Sequence, residues 1–368
     1  MGSGPASRAG AILEVDLAAI VANWRLLAAR AAPAQCAAVV KANAYGLGAA
    51  PVASALAAAG CRMFFVAHLD EGIALRQAIG PAAEIAVLNG PSRGTADEFV
   101  AHDLVPVLNE PGQVAEWSIV ANTSAKQEAA AAILHVDTGM SRLGLTAAEF
   151  AALVADPPPI RWRAVMSHLA CADEPDHAHN EAQLARFATV RARLQDIPAS
   201  FAASSGIFLG QRYHFDIVRP GAALYGVNPR PERANPMQPV VRLRARILQI
   251  RQIDSGESVG YGAAHVMRQA GRVATVAVGY ADGWPRSLSH RGCGYLGGKR
   301  VPLLGRVSMD LATFDVSDIP PAEARPGAMI ELLGRHYGVD EAAADAGTIG
   351  YEILTSLGPR YHRIYKPA

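Results

Sequence analysis

Between residues 35 and 226 the chain alternates short apolar, β-rich runs with alanine-rich stretches of helical periodicity, and this limits the folds open to it. The runs that read as strands lie at 36–40, 63–67, 85–88, 104–108, 133–136, 164–167, 199–203 and 215–218. Helical stretches such as 180–194 separate most of them. A repeating strand–helix–strand unit gives a parallel sheet flanked by helices. Eight such strands in roughly 200 residues point to a closed (β/α)8 barrel of the TIM type more than to an open sheet. Strand 215–218 carries the faintest signal of the eight, so barrel closure is the open point.

The texture changes at 229–239, where Pro229, Pro231, Pro236 and Pro239 mark a linker. Strand-like runs follow at 241–253, 272–278, 300–304, 312–316 and 328–333, and helical pattern returns only at 350–357. This reads as a mainly antiparallel β domain. The chain therefore divides into a barrel over 11–236 and a β domain over 237–368. Within the latter, GCGYLG at 292–297 spells GxGxxG, but no helix follows it. A hairpin turn suits it better than a dinucleotide loop.

Apolar residues make up 51% of the 368 and charged residues 18%, which excludes disorder for most of the chain. Lys and Arg number 34 against 33 Asp and Glu, so the balance of +1 provides no basic field for nucleic acid or an anionic membrane. No apolar run is long enough to span a bilayer, and the first ten residues lack the apolar segment of a secretory signal. Cys36, Cys61, Cys171 and Cys293 lie far apart and read as reduced packing thiols. His177 and His179 have no convincing carboxylate companions, so no metal is expected. These bounds describe a soluble cytoplasmic enzyme.

Barrel enzymes carry their chemistry at the C-terminal ends of the strands. The first strand ends in VKANAYGLG at 40–48. Burial disfavours an ammonium, so Lys41 is either in use as a nucleophile or snorkelling at the barrel rim. The glycines behind it and the helix start suit an anion such as a phosphate.

Residues 40–48 closely resemble the pyridoxal-phosphate attachment motif of alanine racemases. Further matches follow in that family's order: DTGMSRLG at 137–144, SHLA at 167–170, RPG at 219–221, VGYG at 259–262, GYADG at 279–283, GRVSMD at 305–310 and YE at 351–352. Together they run along almost the whole chain. The resemblance implies a barrel plus β-domain enzyme that interconverts L- and D-alanine with pyridoxal 5′-phosphate. D-Alanine would supply peptidoglycan, or the reaction would serve alanine catabolism.

By the same resemblance Lys41 carries the cofactor, and Lys41 and Tyr261 act as acid and base on opposite faces of the substrate Cα. Their ordinary pKa values, about 10.4 and about 10, must be lowered to work near neutrality. Arg219 would face the pyridine nitrogen; a guanidinium only donates, so that nitrogen stays unprotonated and the ring is a poorer electron sink. His168 would orient Arg219. Phosphate binding is implied for Tyr45, Ser205, Gly221, Ala222 and Tyr351, with Ser204 a near-equal alternative to Ser205. Arg142 would meet the cofactor's phenolic oxygen and the substrate carboxylate, and Met309 would offer that carboxylate a backbone N–H. Asp173, Tyr280, Arg286 and Arg306 match an entry corridor. In this family Tyr261 and Met309 reach the barrel of a second copy, which implies a homodimer with shared sites.

Three positions depart from the pattern. Many family members have a carbamylated lysine where this chain has His135, and histidine cannot form that carbamate. A bound chloride or a nearby acidic group is then expected to hold Arg142. Leu47 and Ser308 stand where His and Cys are frequent. A related barrel enzyme acting on another small amino acid (a serine or broad-specificity racemase, a decarboxylase or an aldolase) is the alternative reading, and VGYG around Tyr261 argues against the last two.

Overall fold

The computed structural model describes residues 4–123 and 130–368. Strand β1 (Ala11–Asp16) leads into helix α1 (Leu17–Ala31), whose first turn is capped by the Asp16 carboxylate accepting from Ala19 N at 2.9 Å. The barrel begins with β2 (Gln35–Cys36) and β3 (Ala38–Val39), two halves of one strand interrupted at Ala37. It continues through β4 (Met63–Val66), β5 (Glu84–Val87), β6 (Val105–Leu108), β7 (Ala132–His135), β8 (Trp162–Met166), β9 (Ala199–Ala203) and β10 (Ile217–Arg219). Helices α2 (Ala49–Ala58), α3 (Leu69–Ile79), α4 (Ala96–Ala101), α5 (Pro111–Thr123), α6 (Ala147–Ala155) and α7 (Ala178–Arg193) fall between them.

The sheet order is β2–β10–β9–β8–β7–β6–β5–β4–β3, with every described pairing parallel. Since β2 and β3 are one strand, pairing of β2 with β10 and of β3 with β4 closes the cylinder. Backbone bonds from Ala37 N to Val218 O and from Val39 N to Pro220 O complete the seam. The eighth strand therefore exists, two residues later than its expected start. All four residues of β4 and of β7 are buried, as expected for strands covered on both faces.

The second domain contains β11 (Val241–Ile253), the short hairpin β12 (Ser258–Val259) and β13 (His265–Val266), then β14 (Gly271–Val276), β15 (Cys293–Leu296), β16 (Lys299–Leu304), β17 (Ala312–Asp315), β18 (Met329–Leu333) and β19 (His362–Lys366). The order β14–β17–β16–β15–β18–β11 closes on itself through β11–β14. The GxGxxG stretch is thus strand β15 running into the turn that joins it to β16. Helices α8 (Val339–Ala346) and α9 (Gly350–Ser356) pack back toward the barrel; α8 was not anticipated.

One boundary needs correction. Residues 11–16, placed with the barrel on sequence grounds, pair antiparallel with β11 (Leu13 opposite Leu243) and parallel with β19. The chain begins in the second domain's sheet and only then enters the barrel. The linker is fastened as well: buried Asn23 donates to Leu224 O and Gln238 O and accepts from Gln238 N. One hydrophobic core runs through both domains, and a small separate cluster (Val259, Met267, Val273, Leu304) supports the turn that carries Tyr261.

Candidate active site

A cavity of about 1100 Å³ opens at the C-terminal ends of the barrel strands, walled on one side by α8 and α9. Lys41 enters it directly after β3. The backbone there is unusual: Ala42, Asn43, Ala44 and Tyr45 all have φ between +52° and +55°. Each such residue costs about 1 kcal/mol or more for a side chain with Cβ. The turn is held by Ala44 N to Val40 O, Gly46 N to Ala42 O and Gly48 N to Asn43 O, each 2.8 Å, and by the Glu71 carboxylate accepting from Ala42 N at 2.6 Å.

Burial lowers the Lys41 pKa from its ordinary value, Arg142 and then Arg219 lower it further, and Glu71 opposes them. Arg219 closes β10 and is 3% exposed. It donates to Ser200 Oγ, to Ser167 O at 2.8 Å and to His168 Nδ1 at 3.4 Å. Burial presses Arg219 down to about 10, so it remains a cation at neutral pH. Burial, then Arg219, hold His168 well below its ordinary value, so its ring is neutral and accepts from Arg219.

At the other end Tyr45, Ser204, Ser205, Gly221, Ala222 and Tyr351 line the cavity. Gly221 is required there, because a Cβ would stand 2.3 Å from Tyr45 Oη. Tyr45 packs against Tyr225 at 4.7 Å and Tyr351 at 6.0 Å. Burial raises the pKa of both Tyr45 and Tyr351, which keeps them as hydroxyl donors. Ser204 Oγ accepts from Gly221 N at 3.0 Å and Ala223 N at 3.2 Å, bracing the loop. Ser205 lines the cavity beside it. Ala222 N–H opens a 3-10 turn and has no acceptor within that turn.

His135 lies under the cavity. Its Nδ1 meets Asn109 Oδ1 at 2.7 Å, while the Asn109 amide donates to Leu88 O and Val107 O, so the imidazole donates from Nδ1. Burial and then Arg219 bring its pKa to about 4. The native ring is neutral, whereas an unfolded histidine takes a proton below about pH 6.5. The stability this supplies is complete above pH 6.5 and is lost as pH falls toward 4, by about 2 kcal/mol between pH 6.5 and 5. Denaturant unfolding at pH 7 and pH 5 should show a smaller acid loss in His135→Gln than in the wild type; equal losses would place the slope elsewhere. Among the described residues no carboxylate pairs with Arg142, so the acidic partner expected to hold it is absent.

Comparison with known proteins assigns this architecture. The family model for the alanine racemase N-terminal domain matches residues 15–229, and that for the alanine racemase C-terminal domain matches 240–365. The chain belongs to the alanine racemase family. It is 54% identical to an alanine racemase of Rhodospirillum rubrum over 98% of this chain and 97% of that one. It is 51% identical to a catabolic alanine racemase of Mesorhizobium japonicum over 97% and 93%. A solved alanine racemase of Bartonella henselae with covalently bound pyridoxal phosphate superposes with a TM-score of 0.93 at 43% identity, covering 97% of this chain and all of that one.

The alanine racemase motifs divide into two groups in space. Lys41, Tyr45, Arg142, His168, Asp173, Ser205, Arg219, Gly221, Ala222 and Tyr351 all line the one cavity. Tyr261, Tyr280, Arg286, Arg306 and Met309 do not; they lie on the β domain, where Tyr261 is 71% and Met309 54% exposed. Arg286 and Arg306 line a second hollow of about 740 Å³. Sequence reasoning missed Glu71, Asn109, Ser200 and Gln183, whose partners are backbone or buried atoms far along the chain. Among the described residues no helix is long and apolar enough to cross a membrane.

Proposed function

We propose that this chain interconverts L- and D-alanine in the cytoplasm, as a homodimer whose two sites each draw residues from both subunits. The observation that carries the reading is the cavity itself: the Lys41 amine stands among Arg142 and Arg219, opposite an uncharged anion cradle. This donor set fits pyridoxal 5′-phosphate. Lys41 would hold it covalently, Tyr45, Ser205, Ala222 and Tyr351 would hold the phosphate, and Gly221 leaves the room. When bound, the cofactor supplies the electron-withdrawing ring that makes the Cα–H of a linked amino acid acidic.

Racemisation requires a proton to leave one face of Cα and return on the other. Lys41 serves one face, and its lowered pKa leaves more of its amine neutral near pH 7. Among the described residues that line the cavity, Tyr45 and Tyr351 belong to the phosphate cradle and His168 to the support of Arg219, which leaves the other face to a group from elsewhere. Tyr261 of the partner subunit fills this place, with Met309 of the partner subunit at the substrate carboxylate beside Arg142. The exposure of both side chains in the single chain supports a second copy covering them. Asp173 and, from the β domain, Tyr280, Arg286 and Arg306 would line the approach. Because substrate and product are enantiomers of equal free energy in water, one catalyst serves peptidoglycan supply and alanine breakdown alike.

Purified protein loaded with pyridoxal phosphate and given L-alanine should bring the two enantiomers to equal amounts on chiral chromatography. An enantiomer ratio that stays at its starting value overturns the reading.

A further inference from the structure

Helix α7 sits outside the barrel, yet one of its faces is polar and points inward. His179, Gln183 and Arg186 are spaced i, i+4 and i+7, which places them in one stripe. Each reaches a loop at a strand end. His179 Nε2 donates to Gly139 O at 2.8 Å, and Arg186 Nη1 donates to Thr138 O at 2.8 Å. Gln183 is fully buried between two loops. Its Oε1 accepts from Ala170 N at 2.8 Å, and its Nε2 donates to His168 O at 2.9 Å and to Thr138 Oγ1 at 3.2 Å.

The two loops are those that carry the site's cations or their supports. The loop after β7 leads to Arg142, and residues 137 to 141 are tied together by the Asp137 carboxylate, which accepts from Gly139, Met140 and Ser141 N–H. The loop after β8 provides Ser167 O and His168 Nδ1, which both accept from Arg219. Thr138 and Ser167 share a hydroxyl hydrogen bond of 2.8 Å between the loops. The clamp also explains Gly139: at φ +132°, a Cβ there would lie 2.6 Å from Arg186 Nη1 and 3.1 Å from His179 Nε2.

We propose that His179, Gln183 and Arg186 form a positioning clamp that sets Arg142 against the substrate carboxylate, in register with the Arg219 support. Arg142 has no carboxylate partner of its own among the described residues, and α7 holds the loop that leads to it at Thr138 and Gly139. The inference rests on the proposed role of Arg142 and adds three residues that touch neither substrate nor cofactor.

The test uses the pyridoxal-phosphate-loaded enzyme with His179→Ala, Arg186→Ala and Gln183→Glu, the last keeping the side chain's size while removing its two donated bonds. Each should raise the KM for alanine roughly tenfold while kcat changes by no more than about threefold. In an Arg142→Lys background the same substitutions should add less than about twofold to KM, since a residue acting through Arg142 has nothing left to position. Thermal unfolding is followed in parallel, because loss of fold alone lowers the active fraction and leaves KM unmoved. Clamp variants with wild-type KM, beside a raised KM in Arg142→Lys, overturn the clamp alone. Effects that multiply fully with Arg142→Lys also overturn it. An unchanged KM in Arg142→Lys removes the Arg142 assignment and the clamp with it.

Discussion

Lys41→Ala and Tyr261→Phe are each expected to lose racemisation by on the order of 10²-fold or more, while a randomly paired mixture of the two should recover about a quarter of wild-type activity and the isolated hybrid about half. The recovery follows from the symmetry of an isologous dimer. Random pairing makes about half of the dimers hybrid. In a hybrid, the Tyr261→Phe chain provides an intact barrel with Lys41, and the Lys41→Ala chain provides an intact Tyr261 to that barrel. The other site of the hybrid lacks both groups. The proposed sharing accords with where Tyr261 stands: on a 3-10 turn (Tyr261–Ala263) between Gly260 and Gly262, exposed, and outside the cavity that contains Lys41. Co-expression with two different affinity tags isolates the hybrid. A pure hybrid as inactive as both parents would refute sharing across the subunits. An active Tyr261→Phe homodimer would instead remove Tyr261 as the second acid–base group and leave the dimer standing.

The barrel was readable because its strands are buried on both faces and so appear as short apolar runs between alanine-rich helices. The strands expected at 63–67 and 133–136 lie within a residue of Met63–Val66 and Ala132–His135. What sequence could not announce was pairing over distance. Residues 11–16 look like a lead-in to α1, and nothing local reveals that Leu13 sits opposite Leu243. Helix α8 has only a weak signal of its own. Val339, Ala342, Ala343 and Ala346 are its buried residues, at i, i+3, i+4 and i+7. Three of the four are alanines, so the apolar stripe is faint beside the β strands around it.

The site divides in the same way. Residues that line the cavity sit in contiguous motifs and could be named from them, down to Gly221 and Ala222. Residues that hold those motifs in place sit on other elements, which leaves no spacing to read. Asn109 beneath His135, Ser200 beneath Arg219 and Glu71 beside Ala42 are all of this kind. His135 itself shows the limit of a departure read alone. The missing carbamate was plain from sequence, but only the Asn109 bond and the burial show a neutral ring that donates from Nδ1.

Arg219→Glu is expected to lower racemisation by about 10²–10³-fold, the usual cost of losing a preorganised donor, and to raise the pyruvate released per D-alanine formed. Arg219 has no acceptor to offer, and three acceptors (Ser200 Oγ, Ser167 O, His168 Nδ1) already fix its orientation. Facing the pyridine nitrogen, it would keep that nitrogen unprotonated and so limit the delocalisation that lets a proton return to the wrong carbon. A carboxylate in its place inverts this: it accepts a proton bond from the ring nitrogen, favours the protonated ring and gives misdirected protonation a longer interval. Arg219→Lys serves as the control, because it keeps a cation and donors while losing the planar fork. It should be slow yet retain the low pyruvate ratio. Cofactor content measured by absorbance separates lost binding from altered chemistry. If Arg219→Glu and Arg219→Lys release pyruvate in the same proportion, the charge at this position does not govern where the proton returns, and Arg219 is a packing cation of β10.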